Sequence, residues 1–381
     1  MKRLLTISFL ALLAACDGKE SESNEQGNIL ENVTFSIDTV VVDPGDKIID
    51  LSRSIRLSDL SPDQKHFYLF NENDTRLSVI DLDKLVLQEQ RLFEKEGPNG
   101  VGNFLWNLDM ISEDRIFLKT FNSAGIFDLQ GKKFESVNLD KEEINGIEDK
   151  NLQNNNLKVS KDLKWYYGVP GSAFNQEQTT VELAVVKRES LEAKLLPLPI
   201  LDKTQLYRMM LRSNEMIEIY SEEFFLSEHN EKFIITSSVT SDIYSYDPIS
   251  DSLTLHSINP TLVPKEKTDP PAQMVLTDRD TYRKEITKLY AQVKYERLLW
   301  DESRNYFFRI ASVLIPSMMD DVPSKSKVYM LAFDEDFNLL GEKELEDLDA
   351  APSFPFFKDG KLYSYVNVED ELGFAVFTFD F

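Results

Sequence analysis

A short turn-and-strand pattern recurs six times along the chain, and it restricts the fold more than any single motif does. Each copy opens on a polar turn rich in Ser, Asp or Glu, passes a Lys or Arg, and enters an aromatic-rich alternating stretch. The copies occupy 61–68, 112–117, 160–167, 227–234, 301–308 and 358–363. Ser, Pro, Asp, Asn and Gly close such turns by fixing φ or by bonding their side chains to the backbone. The Tyr, Phe and Val that follow suit a pleated, half-buried surface. Further strand-like stretches come after most copies, for example 77–83, 124–131, 242–248 and 328–336, then 135–139 and 252–258. A unit of about four strands over some 50 to 70 residues has the size of a β-propeller blade with long loops.

The chain ends sharpen this expectation. The sixth unit has only three strand-like stretches before Phe381, and an orphan strand at 33–42 precedes the first unit. Pairing the orphan with the last strand completes the sixth sheet and removes exposed edges. The predicted fold is therefore all-β: a six-bladed β-propeller over 31–381, closed by the N-terminal strand. Seven blades, or two stacked β-domains, are the alternatives these repeats allow. Two segments break the pattern. Residues 201–223 read as irregular and Met-rich. The 261–293 insertion starts with Pro264, Pro270 and Pro271 and then reads as a helix. Asp278 can cap that helix, and Tyr282, Ile286, Leu289, Tyr290 and Val293 fall on one stripe.

The N-terminus is an address. Lys2 and Arg3 precede a short apolar run at 4–13, half of what a permanent span needs, so 1–15 reads as a signal peptide. Leu13-Ala14-Ala15-Cys16 resembles the bacterial lipobox, in which the Cys thiol is acylated and becomes the new N-terminus. Cys16 is the single cysteine of 381 residues, so no intrachain disulfide can form. Residues 16–30 read as an acidic flexible tether. The expected location is the cell envelope, with the lipid on Cys16 holding the protein on a membrane, on the periplasmic or surface-exposed side of the outer membrane. A net charge of −24 opposes nucleic-acid binding, which needs a basic face.

Ile37-Asp38-Thr39-Val40, Ser61-Pro62-Asp63, Val79-Ile80-Asp81-Leu82-Asp83 and above all Glu96-Gly97-Pro98-Asn99-Gly100 extend the lipobox into a longer resemblance. Leu299-Trp300-Asp301 and Arg304-Asn305-Tyr306 add to it. Together they resemble a family of Bacteroidetes lipoproteins, domain of unknown function 4221, over about 30–381. The resemblance implies an envelope compartment and a six-bladed propeller similar to the TolB-like class. It implies no activity and supplies no catalytic residues.

Residues able to carry chemistry are few. Gly97, Pro98, Asn99 and Gly100 form the weak binding candidate: the glycines permit φ > 0 and close backbone approach, so their amides either line a ligand site or make a blade-to-blade turn. Trp300-Asp301 reads as a core Trp and a turn Asp. Asp334-Glu335-Asp336 opens like a calcium loop, but Leu339 and Leu345 stand where Gly and Glu are required. His66, His229 and His256 have no second ligand at metal spacing. No hydrolase motif is present, so no catalytic residue, metal or cofactor is expected. The expected role is a binding or scaffold module for an envelope protein, peptide or glycan. The alternative is an envelope enzyme, a metal-assisted hydrolase or lyase, with carboxylates converging at the channel mouth.

Overall fold

A computed structural model describes residues 27–120, 123–137, 144–147, 152, 156–171, 177–213, 216–317 and 323–381. The segments expected to be a signal peptide and a tether, with Cys16 between them, lie outside the described residues up to residue 26. Among the described residues, 27 strands form six four-stranded sheets and one three-stranded sheet, with one α-helix and one 3-10 helix. The first strand is β1 (Thr34–Val41). Sheet I holds β2 (Ser58–Leu60), β3 (His66–Asn71), β4 (Arg76–Asp81) and β5 (Val86–Leu92). Sheet II holds β6 (Leu105–Ser112), β7 (Arg115–Thr120), β8 (Ala124–Asp128) and β9 (Lys133–Val137). Sheet III holds β10 (Lys158–Val159), β11 (Trp165–Gly168), β12 (Glu182–Lys187) and β13 (Glu192–Pro197).

The 3-10 helix Pro199–Tyr207, β14 (Met209–Arg212) and β15 (Ile217–Tyr220) then precede sheet IV. Sheet IV holds β16 (Phe224–His229), β17 (Lys232–Ser237), β18 (Thr240–Asp247) and β19 (Ser252–His256). After β20 (Val275–Leu276) and α1 (Arg279–Tyr290) come β21 (Val293–Asp301), β22 (Tyr306–Ile315), β23 (Lys325–Phe333) and β24 (Leu339–Glu344) of sheet V. Sheet VI joins β25 (Phe356–Lys358), β26 (Lys361–Val368) and β27 (Glu371–Asp380) to β1 in the order β1-β27-β26-β25. The orphan strand thus pairs where the sequence places it: β1 runs antiparallel to β27 from Thr34↔Asp380 to Val41↔Gly373.

All six recurrent turns fall between the first and second strands of a four-stranded sheet. In sheet I, Ser61 Oγ accepts from His66 N at 2.9 Å and donates to Asp63 Oδ1 at 2.7 Å, while Gln64 takes φ +57°. In sheet III, Ser160 accepts from Trp165 N at 2.9 Å and donates to Asp162 at 2.7 Å, with Leu163 at φ +60°. Small hydrogen-bonding side chains thus hold one residue left-handed, which turns the chain at modest cost.

Alternation along the second strands explains how the sheets pack. Successive side chains point to opposite faces, so neighbouring aromatics serve different interfaces. Tyr68 and Phe70 pack with Leu108 and Phe127 of sheet II, whereas Phe67 and Leu69 pack with Phe374 and Val376 of sheet VI. Phe117 meets Tyr166, and Tyr167 meets Phe233 with its ring centroid 4.0 Å away. Ile234 packs with Phe307, and Phe308 with Phe357. Six buried clusters therefore join I to II, II to III, III to IV, IV to V, V to VI, and VI to I.

Three differences from the sequence reading have clear causes. Residues 28–30, expected to belong to a flexible tether, are docked on the sheets: Leu30 is fully buried, Ile29 N bonds Leu340 O at 3.1 Å, and Asn28 bonds both ways with the Glu342 backbone. Polar composition hid this, because Asn28 acts as a backbone mimic beside β24. Residues 201–223 are not irregular. Their strand β14 pairs with β15 and also, in parallel, with β20 from the 261–293 insertion, so the two segments form one satellite unit. That pairing spans some 65 residues of sequence and is invisible to local pattern. The helix itself is as read, with Asp278 accepting from Thr281 N at 2.7 Å and with Tyr282 and Leu289 buried. It stops at Tyr290, however, and Val293 opens β21. Among the described residues no helix is long and apolar enough to cross a membrane.

The turns also set an acid limit. Hydrogen bonds from Ser61 to Asp63 and from Lys84 to Asp81, and the Ser52 amide on Asp50, each hold a carboxyl at about 2. A carboxyl lowered on folding stabilises the protein above its unfolded pKa near 4, and that contribution disappears as pH falls through the folded value. Urea midpoints are accordingly expected to drop between about pH 4 and 2. Asp81→Asn should flatten that drop, and an unchanged slope would refute the assignment.

Candidate functional site

The first strands of the six four-stranded sheets surround a cavity of about 450 Å³. Its wall takes Ser58 and Asp59 from β2, Asn107 to Met110 from β6, and Lys158 and Val159 from β10. Phe224 to Glu228 come from β16, Arg297 and Leu298 from β21, and Phe354 to Phe356 from the run into β25. First strands are the element every sheet can direct toward one volume, so the repeat itself builds the site. A volume of this size lies within the usual range for small-ligand pockets.

Aromatic and charged side chains share the wall. Phe67 and Phe356 stack at 5.9 Å, Tyr167 contributes from β11, and Phe354 is exposed at φ +46°. A left-handed conformation on an exposed Phe is strained, and strain of this kind collects at functional sites. The acids are engaged by the protein. Asp59 accepts from Leu60 N at 2.9 Å and from Met110 N at 2.8 Å, which ties sheet I to sheet II. Asp109 pairs with Lys158 and accepts from Asn107. Glu228 accepts from Lys161 N at 2.8 Å, which ties sheet IV to the sheet III turn. Burial, reinforced by the Asp109 charge, pushes the Asp59 carboxyl above its ordinary range, and burial does the same to Glu228.

The bases are engaged less. Arg56 donates to Leu105 O at 2.9 Å and meets Glu72 at 2.9 Å. Lys161 and Arg297 are exposed at the wall and, among the described residues, form no ion pair; the Arg297 guanidinium lies 6.0 Å from the Phe225 ring. Four basic and three acidic side chains line the cavity, the reverse of the balance in a chain with 42 bases and 66 acids.

Gly97, Pro98, Asn99 and Gly100 lie in the β5–β6 connection and are not part of this wall. Their loop closes on itself: Gly100 N bonds Gly97 O, Val101 N bonds Glu94 O, and Gly102 N bonds Lys95 O, at 3.0, 2.9 and 3.1 Å. A Cβ on Gly100 would meet Glu96 backbone at 2.8 Å, so the glycine serves that close approach. The histidines stay apart. His229 packs against Trp300 at 4.2 Å, His256 bonds Ser245 at 2.8 Å, and His66 stands at the start of β3. Asp301 takes the bonds of Ser303 and Arg304, and Asp334 those of Asp336 and Asn338, so both are turn residues. Among the described residues no three His, Cys, Asp or Glu side chains are grouped to hold a metal. Cys16 lies outside the described residues.

Sequence reasoning missed the wall residues Asp59, Asp109, Lys158, Lys161, Glu228 and Arg297. A signal was available: Asp59 and Lys158 stand two residues before the turn serine, Asp109 three before it, and Glu228 directly after it.

Residues 26–344 match the family described as Domain of unknown function (DUF4221). The crystal structure of a member of that family from Bacteroides vulgatus is similar over 91% of this chain and 98% of its own, with a TM-score of 0.64 at 13% identity. A protein of Bacteroides fragilis is similar over 91% and 95%, with a TM-score of 0.49 at 7% identity. At 13% identity the Bacteroides vulgatus structure speaks to the fold alone. No curated protein matches.

Proposed function

The chain belongs to the family described as Domain of unknown function (DUF4221), and on that premise we propose a lipid-anchored cell-envelope β-propeller of six blades that binds a partner at its central cavity. The blades are sheets I to VI, and β1 on β27 closes the ring. The lipid sits on Cys16. The partner is an envelope protein, peptide or glycan. The observation that carries this reading is the cavity, to which every four-stranded sheet contributes polar, aromatic or charged groups. Its volume and its mixed apolar and polar wall suit ligand capture.

Two experiments test it. A photo-crosslinking residue at Phe354, on the cavity wall, should capture a discrete partner in intact envelopes. The same residue at Ile249, exposed on an outer turn, should not. Equal capture at both sites, or none at Phe354, would reject the cavity as the binding surface. Cys16→Ser should move the protein from the membrane fraction to the soluble fraction, and retention on the membrane would reject the lipid anchor.

A further inference from the structure

The geometry points to an organic carboxylate with an apolar or aromatic body as the group this cavity admits. The inference rests on the cavity being the binding site. It follows from which wall groups are already occupied. Both oxygens of Asp59 accept backbone amides, Asp109 is paired with Lys158, and Glu228 accepts the Lys161 amide. The acidic groups are thus used to join neighbouring sheets. Lys161 and Arg297 line the same cavity and form no ion pair among the described residues; the Lys161 charge also reaches the Glu228 carboxylate, whereas Arg297 faces no such acid there.

A guanidinium is charged at any physiological pH and presents a planar fork that matches a carboxylate. A cavity wall with low-dielectric aromatic sides also focuses the field of such a cation. The surrounding rings, among them Phe225 beneath Arg297 and Phe354 at the wall, offer the apolar surface that the rest of the ligand would cover. A phosphate fits less well. Arginine also binds phosphate, but many phosphate sites add free backbone amides, often at glycines. No glycine lines this cavity, and the Met110 and Lys161 amides are already taken by Asp59 and Glu228. The carboxylate can belong to a free small acid or to the C-terminus of a peptide, since both present the same group.

The test is calorimetric titration of the full chain in detergent with 3-phenylpropionate, 3-phenylpropionamide, 3-phenylpropylamine and phenyl phosphate. N-acetyl-Ala-Ala-Phe with a free C-terminus is compared with its amide. The expected result is binding of the acid about tenfold or more tighter than of the matching amide, the gain of a charge-assisted hydrogen bond. Arg297→Gln and Lys161→Gln should each remove most of that preference while the melting temperature stays put. A preference confined to the peptide acid assigns the chain terminus as source, and one shared by 3-phenylpropionate assigns a free acid. Acid and amide binding alike, tighter binding of the amine or of phenyl phosphate, or unchanged preference in both variants would overturn the carboxylate assignment and leave the cavity as binding site. Failure of all these probes, with Phe354 crosslinking intact, would likewise overturn it.

Discussion

Arg309→Met is expected to lower stability by about 3–5 kcal/mol, the cost of taking a charged donor away from three backbone carbonyls. Arg309 lies on β22 with no exposed surface. Its Nε donates to Glu296 O at 2.8 Å, and its two terminal nitrogens donate to Ser241 O at 2.9 Å and Ser237 O at 2.8 Å. The ring of Tyr295 lies 4.9 Å away. The guanidinium therefore pins sheet V to the β17–β18 hairpin of sheet IV. Burial lowers its pKa to about 10, which still leaves it charged at neutral pH. Methionine fills comparable space and avoids desolvating a cation, so the loss is smaller than the sum of three charged hydrogen bonds. Arg309→Lys should recover only part of it, because an ammonium cannot fork to three carbonyls. Urea unfolding measures both, and a loss below about 1 kcal/mol for the methionine variant would show that the carbonyls find other partners.

The second large effect concerns the satellite unit. Lys267 and Glu222 form an ion pair at 2.5 Å, each side chain 2% exposed. Tyr220 and Ser238 donate to the two Glu222 oxygens at 2.7 and 2.5 Å, and the Lys267 ammonium lies 5.8 and 5.9 Å from the Tyr207 and Tyr220 rings. The pair joins the 261–274 stretch, the end of β15 and the β17–β18 turn. Lys267→Met strands the Glu222 charge and should cost about 3–5 kcal/mol. Much of that is expected as local opening of the satellite, seen as faster hydrogen exchange in β14, β15 and α1. Adding Glu222→Gln removes the stranded charge, with the amide oxygen accepting from one hydroxyl and the amide NH2 donating to the other, so the double variant should be more stable than Lys267→Met alone. A double variant that is no better would mean that packing around the pair, and not the charge, is what matters.

Local chemistry made the strands and their turns legible. Ser61 and Ser160 hold their turns through bonds to residues within five positions, and such turns can be read from a short window. The pairing of β1 with β27 was also legible, because a missing strand at one end and a surplus strand at the other leave few solutions. The docking of Asn28 on Glu342, the parallel pairing of Met210 with Val275, and the convergence of Asp59, Asp109, Lys158 and Arg297 on one cavity were not. Each depends on contacts between residues that are distant in sequence, and single charged residues on separate strands carry no motif. The glycines at 97 and 100 stood out because glycine marks backbone geometry. Here that geometry shapes a connection, while the cavity wall is built from side chains.

Closure is tested most directly by a cysteine pair across β1 and β27. Ser36 stands opposite Thr378 in the antiparallel register, within the span a disulfide can bridge. In a chain carrying Cys16→Ser, Ser36→Cys with Thr378→Cys should oxidise to a monomeric intramolecular disulfide. By tying the two ends of the ring together it should raise stability by up to roughly 5 kcal/mol on the chain-entropy account. Free thiols that persist under oxidation, or disulfides that form only between molecules, would contradict a ring closed by its first strand.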